Sequence, residues 1–283
     1  DTYRYIHDQT LRLAALGRTP QQIADELELP ASLAREFANR GSYGTVRHNA
    51  KAVYQFYFGW YDANPAHLNP LPPAEEGARY VAAMGGADKV VEQGRSAYEA
   101  GDYRWAATLL NHLVFAEPEN AEAKALLAAA YDQLGYQAES GPARDSYLVA
   151  ASELRNSQPV HGFTTISADV MSAMTTSMLL DYIAVRLDGA KANGEDFRMN
   201  LALNDTGEKA LIQVRNSVLV YWVGESSNEA NVTVTMPRKS LEQLALNPAL
   251  APADVTAEGD ASVFERFVAM LDVFDPSFNI VLP

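Results

Sequence analysis

Cysteine is absent from the 283 residues, so no disulfide braces this chain and no thiolate can hold a metal or attack a substrate. Histidine is scarce. The five, His7, His48, His67, His112 and His161, are scattered, and no two have the close spacing of a zinc signature. Four of them, His7, His67, His112 and His161, read as structural, hydrogen-bonded residues. No apolar run approaches the roughly 18 residues that would suggest a membrane span. Asp1 opens a helical pattern where a signal peptide would place an apolar segment. Basic residues are also in deficit, 22 Lys and Arg against 36 Asp and Glu, for a formal charge of −14. That balance opposes binding to nucleic acid or to anionic membrane, both driven by cationic side chains. No GxSxG elbow is present, which removes the commonest signature of a serine hydrolase.

What is plentiful is apolar surface. With 48% hydrophobic residues the chain can bury a sizeable core and has room for about two domains. Chemistry concentrates between Arg40 and Pro65, where a glycine loop, the cations Arg40, Arg47 and Lys51, and seven aromatics surround His48. A helix predicted to begin near Val46 presents unpaired N–H groups and the positive end of its dipole, a setting suited to an anion. Gly41 and Gly44 let the backbone approach a ligand closely, and Tyr43, Tyr54, Tyr57, Trp60 and Tyr61 offer apolar faces with polar tips. The matching ligand is an anion joined to an apolar body. A plainer expectation stands beside this one: Val53, Phe56, Tyr57 and Trp60 fall at i, i+3, i+4 and i+7, the stripe of a helix that buries one face.

The first half reads as helical throughout. An opening helix carries Tyr5, Leu11, Leu13 and Leu16 and stops at Gly17. Thr19, Pro20 and Gln22 then form a capping box for a second helix to about Glu28, and a short helix runs through Phe37. From 74 to 154 small and large apolar residues alternate as in tetratricopeptide-type helix pairs, with such helices over 86–154. About two units are present where a free-standing array needs three, so they read as a packing device and not as a peptide receptor. Ser157, Pro159 and Gly162 mark a boundary between 156 and 165.

The second half changes period. After a helix from about Ser172 to Leu187, apolar and polar residues alternate over 197–204, and further strands are predicted over 211–215, 218–223 and 232–236. Together they suggest an antiparallel sheet. Helices follow from Pro237 to Leu244 and from about Asp260 to Phe274, and a last strand is expected to hold Ile280 and Leu282. The predicted fold class is therefore multidomain: an all-α, TPR-like domain over 1–157, then an α+β domain over 165–283.

Several segments, in order, resemble the alkylsulfatases of the metallo-β-lactamase superfamily: DTYRYIHDQTLRLAALGRTPQQIADELELP, GTVRHNAKAVYQFYFGWYDANP, MGGADKV, GDYRWAATLLNHLVFAEPEN, YDQLGYQAESGPARDSYLVAASELR, LLDYIAVRLDG and FDPSFNIVLP. The resemblance spans essentially the whole chain and implies an α-helical dimerisation domain, with the loop 40–65 facing substrate, and a C-terminal domain like sterol carrier protein 2. It implies a homodimer, export to the periplasm or secretion, and hydrolysis of sulfate esters of long-chain alcohols by two zinc ions. Those ions sit on an HxHxDH motif in an N-terminal domain that nothing in this sequence matches. The chain alone is accordingly expected to be inactive and to hold no metal. His48 is the candidate catalytic residue, and Arg47, Tyr43, Tyr61 and Asn49 are the candidate sulfate or substrate contacts. A noncatalytic lipid-binding or assembly protein is the competing reading.

Overall fold

The computed structural model describes residues 1–159, 162, 166–250, 252 and 254–283. It divides into two compact units, Asp1–Val160 with Ser277–Pro283, and His161–Pro276. His161 and Thr165, read above as a structural histidine and a domain boundary, lie outside the described residues. Among those residues no helix is long and apolar enough to cross a membrane.

In the helical unit, α1 (Thr2–Ala15) ends before Gly17, whose φ of 83° suits glycine. The capping box forms as expected at α2 (Pro20–Glu26): Thr19 Oγ1 accepts the Gln22 N–H at 3.3 Å, and Gln22 Oε1 accepts the Thr19 N–H at 3.0 Å. After the single turn α3 (Ala31–Ala34) the chain forms a 3₁₀ turn at Phe37–Asn39 and then α4 (Val46–Phe58). Ile6, Ile23, Leu27, Ala50 and Tyr54 close a small core between α1, α2 and α4. This corrects the predicted apolar stripe on α4. The buried face is Ala50 and Tyr54, while Phe56 and Trp60 are 81% and 67% exposed. Periodicity placed an apolar face on the helix but could not say which of two overlapping faces the neighbours cover.

The helix pairs follow as α5 (Pro73–Ala83), α6 (Ala87–Glu99), α7 (Tyr103–Ala116), α8 (Ala121–Gln137) and α9 (Gly141–Asn156). Asp102, Asn120 and Ser140 cap the last three, each side chain accepting a main-chain N–H of the first turn. On α7, Ala106, Leu109, Leu110, Leu113 and Val114 follow the i, i+3, i+4, i+7, i+8 spacing and are all buried. Each fully buried leucine contributes about 2 kcal/mol. Glycine permits close approach at two places: a Cβ on Gly77 would lie 2.5 Å from the His112 carbonyl oxygen, and one on Gly94 would lie 2.8 Å from Leu110 Cγ. The last residues belong here as well, with Val281 and Leu282 packed into the same core. They form no strand, contrary to expectation, because the N–H groups of Ile280, Val281 and Leu282 are taken by the Glu153 carboxylate.

The sheet unit opens with α10 (Ala168–Ala173) and α11 (Thr176–Arg186), two helices where one was expected, the second started anew by the Thr175 cap. Five strands follow: β1 (Asp196–Leu203), β2 (Lys209–Arg215), β3 (Val218–Val223), β4 (Val232–Met236) and β5 (Thr256–Gly259), in the order β3-β2-β1-β4-β5. The sheet is mixed and not antiparallel. Met199 pairs with Val232 and Leu203 with Met236, so β1 and β4 run parallel. Alternation has the same period in both pairings, and sequence alone could not separate them. Helix α12 (Arg238–Leu246) precedes β5, and α13 (Ala261–Ala269) follows it, ending five residues before the predicted stop. Phe197, Met199, Leu201 and Leu203 point to one face of the sheet, where Leu180, Ile183, Leu241, Leu244 and Phe267 complete the core. The void left between sheet and helices is about 10 Å³, the space of at most one water.

Candidate functional site

The loop from Arg40 to Thr45 is fastened to the turn between α8 and α9. Arg40 forms an ion pair with Glu139, the Ser42 carbonyl accepts the Gly141 N–H at 2.9 Å, and the Tyr43 carbonyl accepts the Ser140 hydroxyl at 2.5 Å. Ser140 also starts α9, accepting the Ala143 N–H at 3.3 Å. At the other end of the loop Thr45 caps α4, accepting the His48 N–H at 3.2 Å, and the same Oγ1 lies 3.0 Å from His48 Nδ1. The imidazole is thus oriented by its own helix cap, which leaves Nε2 for a ligand. Gly44 makes room for Asn49, since a Cβ there would meet Asn49 Oδ1 at 3.1 Å.

His48 stands where two hollows meet. The first, about 550 Å³, is walled by Tyr43, Gly44, Pro142, Ala143, Ser146 and Tyr147 and is mainly apolar. The second, about 540 Å³, carries charge: Asp25, Glu28 and Glu139 against Arg47 and Arg104. His48, Ser140, Ala143 and Tyr147 line both. Behind Tyr147, with ring centroids 5.9 Å apart, lies Tyr131. Burial, and then the charge Tyr147 would carry, push its phenol up to about 12.

The structure brings only some of the expected residues together. His48 and Tyr43 line the apolar hollow, and Tyr43 is 80% exposed there. Arg47 lines the charged hollow, but its guanidinium lies 2.6 Å from Asp25, and Arg104 approaches the same carboxylate at 3.6 Å. Asn49 sits under Gly44 at the edge of the loop. Tyr61 lines neither hollow: it follows the far end of α4, its ring 5.6 Å from Trp60, and roughly 15 Å of helix separates His48 from Phe58. Sequence reasoning missed Ser140, Ala143 and Tyr147. The cap-and-proline pattern Ser140-Gly141-Pro142 signals a helix start, yet nothing local says that this start meets a loop 97 residues earlier.

Among the described residues no three histidine, aspartate or glutamate side chains gather as metal ligands. Two imidazole–carboxylate pairs exist among the described residues. His7 lies 2.8 Å from Asp8, and His67 lies 2.7 Å from Asp62. Asp8 is held below the usual carboxylate range by His7 and then Arg4, and Asp62 by the Asn64 main chain and then His67.

Known proteins share both the sequence and the fold. A family model described as alkyl sulfatase dimerisation matches residues 19–157, and one described as alkyl sulfatase C-terminal matches 164–283. A linear primary-alkylsulfatase from Pseudomonas sp. is 44% identical over all of this chain and 43% of its own length. The alkyl/aryl-sulfatase BDS1 of Saccharomyces cerevisiae is 42% identical over all of this chain and 44% of its own length. The solved structure of Pisa1, a stereoselective inverting sec-alkylsulfatase from Pseudomonas sp., superposes with a TM-score of 0.92 at 42% identity, covering 99% of this chain and 45% of that one. The chain spans less than half the length of these relatives. Two adjoining domain matches and full-length similarity at this level show that the chain belongs to the alkylsulfatase family, as its dimerisation and C-terminal domains.

Proposed function

We propose that this chain is the part of a zinc-dependent alkylsulfatase that supplies dimer contacts and one wall of the substrate site, in an enzyme that converts alkyl sulfate and water to alcohol and sulfate. The homodimer is inferred from the dimerisation-domain match. The pair of zinc ions, the metallo-β-lactamase-like domain and a periplasmic or secreted location rest on the resemblance alone. The observation that carries the reading is the placement of His48 at the junction of an apolar and a charged hollow, beside the start of α4. An alkyl sulfate has the same division, an apolar chain ending in an anion.

Within this proposal the chain's residues bind and orient. Tyr43, Pro142, Ala143 and Tyr147 receive the first carbons of the alkyl chain. Thr45 accepts the His48 main-chain N–H and gives its own hydroxyl hydrogen to Nδ1, so that Nε2 carries the proton and donates it to a sulfate ester oxygen. The alternative, a noncatalytic lipid carrier, requires a cavity that can take a chain, and the sheet core leaves about 10 Å³. That observation favours the sheet unit as scaffold.

The test uses the intact enzyme. His48→Ala should lower kcat/KM for dodecyl sulfate by about 10²–10⁴-fold, the range of a lost proton donor. Its thermal unfolding should be unmoved, since His48 is exposed. Equal losses of stability and turnover would return His48 to a structural role. This chain by itself should release no sulfate.

A further inference from the structure

Glu153 is 0% exposed, and its carboxylate is met by main-chain amides. Ile280 N donates to Oε1 and Oε2 at 2.9 and 3.0 Å, Val281 N to Oε1 at 3.0 Å, and Leu282 N to Oε1 at 3.1 Å. Three successive N–H groups turned toward one point form an anion-binding concavity of the kind usually filled by a phosphate or sulfate. Here a protein side chain fills it. Around the carboxylate, Val281 is buried and Leu282 half-buried in a core to which α9 contributes Ala150, Ala151 and Leu154. The small residues of α9 leave the room that the tail takes. The chain leaves the helical unit, builds the sheet unit, and returns for Ser277–Pro283 alone.

We infer that the helical unit contains a peptide site whose occupant is the chain's own C-terminal segment. Glu153 recognises three consecutive main-chain N–H groups, and the neighbouring apolar core takes Val281 and part of Leu282. The segment acts as a clasp: it gives the sheet unit a second chain connection to the helical unit, and it docks and releases without unfolding either. Recognition through main-chain N–H groups makes the site indifferent to most tail side chains except Val281 and Leu282. The inference is independent of the reaction proposed above.

Hydrogen exchange followed by mass spectrometry on the full chain tests it. The amides of residues 280–282 should exchange slowly although they belong to no helix or strand. Glu153→Gln sets an NH₂ or a neutral oxygen against Ile280 and should speed their exchange by about 30-fold or more, the equivalent of one charge-assisted hydrogen bond. Exchange in α5 to α8 and in the sheet should stay at its wild-type rate. Ile280→Pro removes from the tail's side the donor that meets both oxygens, and should speed exchange at the two remaining amides, 281 and 282, even if the Glu153 variant fails to fold. Unchanged protection of the tail in the two variants would overturn the inference. So would a uniform rise in exchange through α5 to α9, which would make Glu153 a support of the core and not a clasp.

Discussion

Arg186 ends α11 with its side chain buried, the residue being 3% exposed, and among the described residues no carboxylate pairs with it. Its charge is met by carbonyls. Nε donates to the Ala245 oxygen at 2.8 Å, Nη1 to the Asp272 main-chain oxygen at 2.8 Å, and Nη2 to the Leu246 oxygen at 2.9 Å and the Tyr182 hydroxyl at 3.3 Å. Ala245 and Leu246 close α12, so their oxygens have no partner within the helix and stand at the negative end of its dipole. Tyr182 and Phe274 flank the guanidinium carbon at 4.9 and 4.4 Å. Arg186→Lys keeps the charge but replaces a planar fork with a single point of donors. At least one of the three carbonyls then stays buried without a donor, at about 1–3 kcal/mol. Loss of stacking on two rings adds about 0.5–2 kcal/mol. Together these come to roughly 1.5–5 kcal/mol.

The measurement must follow the sheet unit alone, because a two-unit chain need not unfold in one step. Trp222 lies on β3, whereas Trp60 and Trp105 lie in the helical unit and are largely exposed. In a Trp60→Phe, Trp105→Phe background, fluorescence during urea unfolding therefore reports the sheet. Arg186→Lys should lower the midpoint with little change in slope. A shift worth less than about 0.5 kcal/mol, the size of an ordinary surface substitution, would refute the claim that the fork geometry holds α12 to α11.

Tyr131 predicts an alkaline loss of stability. Its phenol titrates near 10.0 when free and near 12 in the folded chain, so above pH 10 the unfolded state loses a proton that the folded state keeps. That contribution is whole below pH 10 and disappears as pH rises toward 12, about 3 kcal/mol in all. Tyr131→Phe should flatten this limb in circular-dichroism melts. Gly77→Ala sets a methyl against the fixed His112 carbonyl at 2.5 Å and should cost about 1–3 kcal/mol in chemical denaturation, more than the roughly 1 kcal/mol gained in helix propensity. Gly94→Ala meets the Leu110 side chain, which can turn aside, and should cost less.

Local signals in the sequence were read well where a few neighbouring residues decide the outcome. Thr19, Pro20 and Gln22 start α2, and Asp205, Thr206 and Gly207 turn the chain between β1 and β2. Alternation over 197–204 identified the buried side of β1. What escaped was set by distant contacts. Strand β4 lies beside β1 because the chain crosses over after β3, and β5 exposes all four residues, so no apolar alternation announces it. Ile280 and Leu282 alternate like a strand, yet their amides belong to Glu153, 127 and 129 residues away. At the site, the helix start near Val46 and the glycine loop around His48 were legible, whereas the Thr45 cap, the far wall at Ser140 and Tyr147 and the neutralisation of Arg47 by Asp25 were not.

That neutralisation decides where a sulfate could find its positive charge. The charged hollow presents three carboxylates and two guanidiniums, and both guanidiniums approach Asp25. On the proposed reading, anion recognition by this chain falls to His48 and to the first N–H groups of α4, with further cations supplied by the remainder of the intact enzyme. Asp25→Asn tests the point. It removes one negative charge, frees Arg47 and Arg104, and leaves a hollow with two carboxylates facing two guanidiniums. Both partners in the Arg47–Asp25 pair are largely exposed, at 41% and 49%, so its loss should change stability by less than about 1 kcal/mol. Sulfate affinity of the isolated chain, read by calorimetric titration at low ionic strength, should rise several-fold, and the gain should fade in salt as the screening length shortens. If Asp25→Asn leaves sulfate binding unchanged while Arg47→Ala abolishes it, Arg47 already serves the anion, and the division of charge argued for this hollow is wrong.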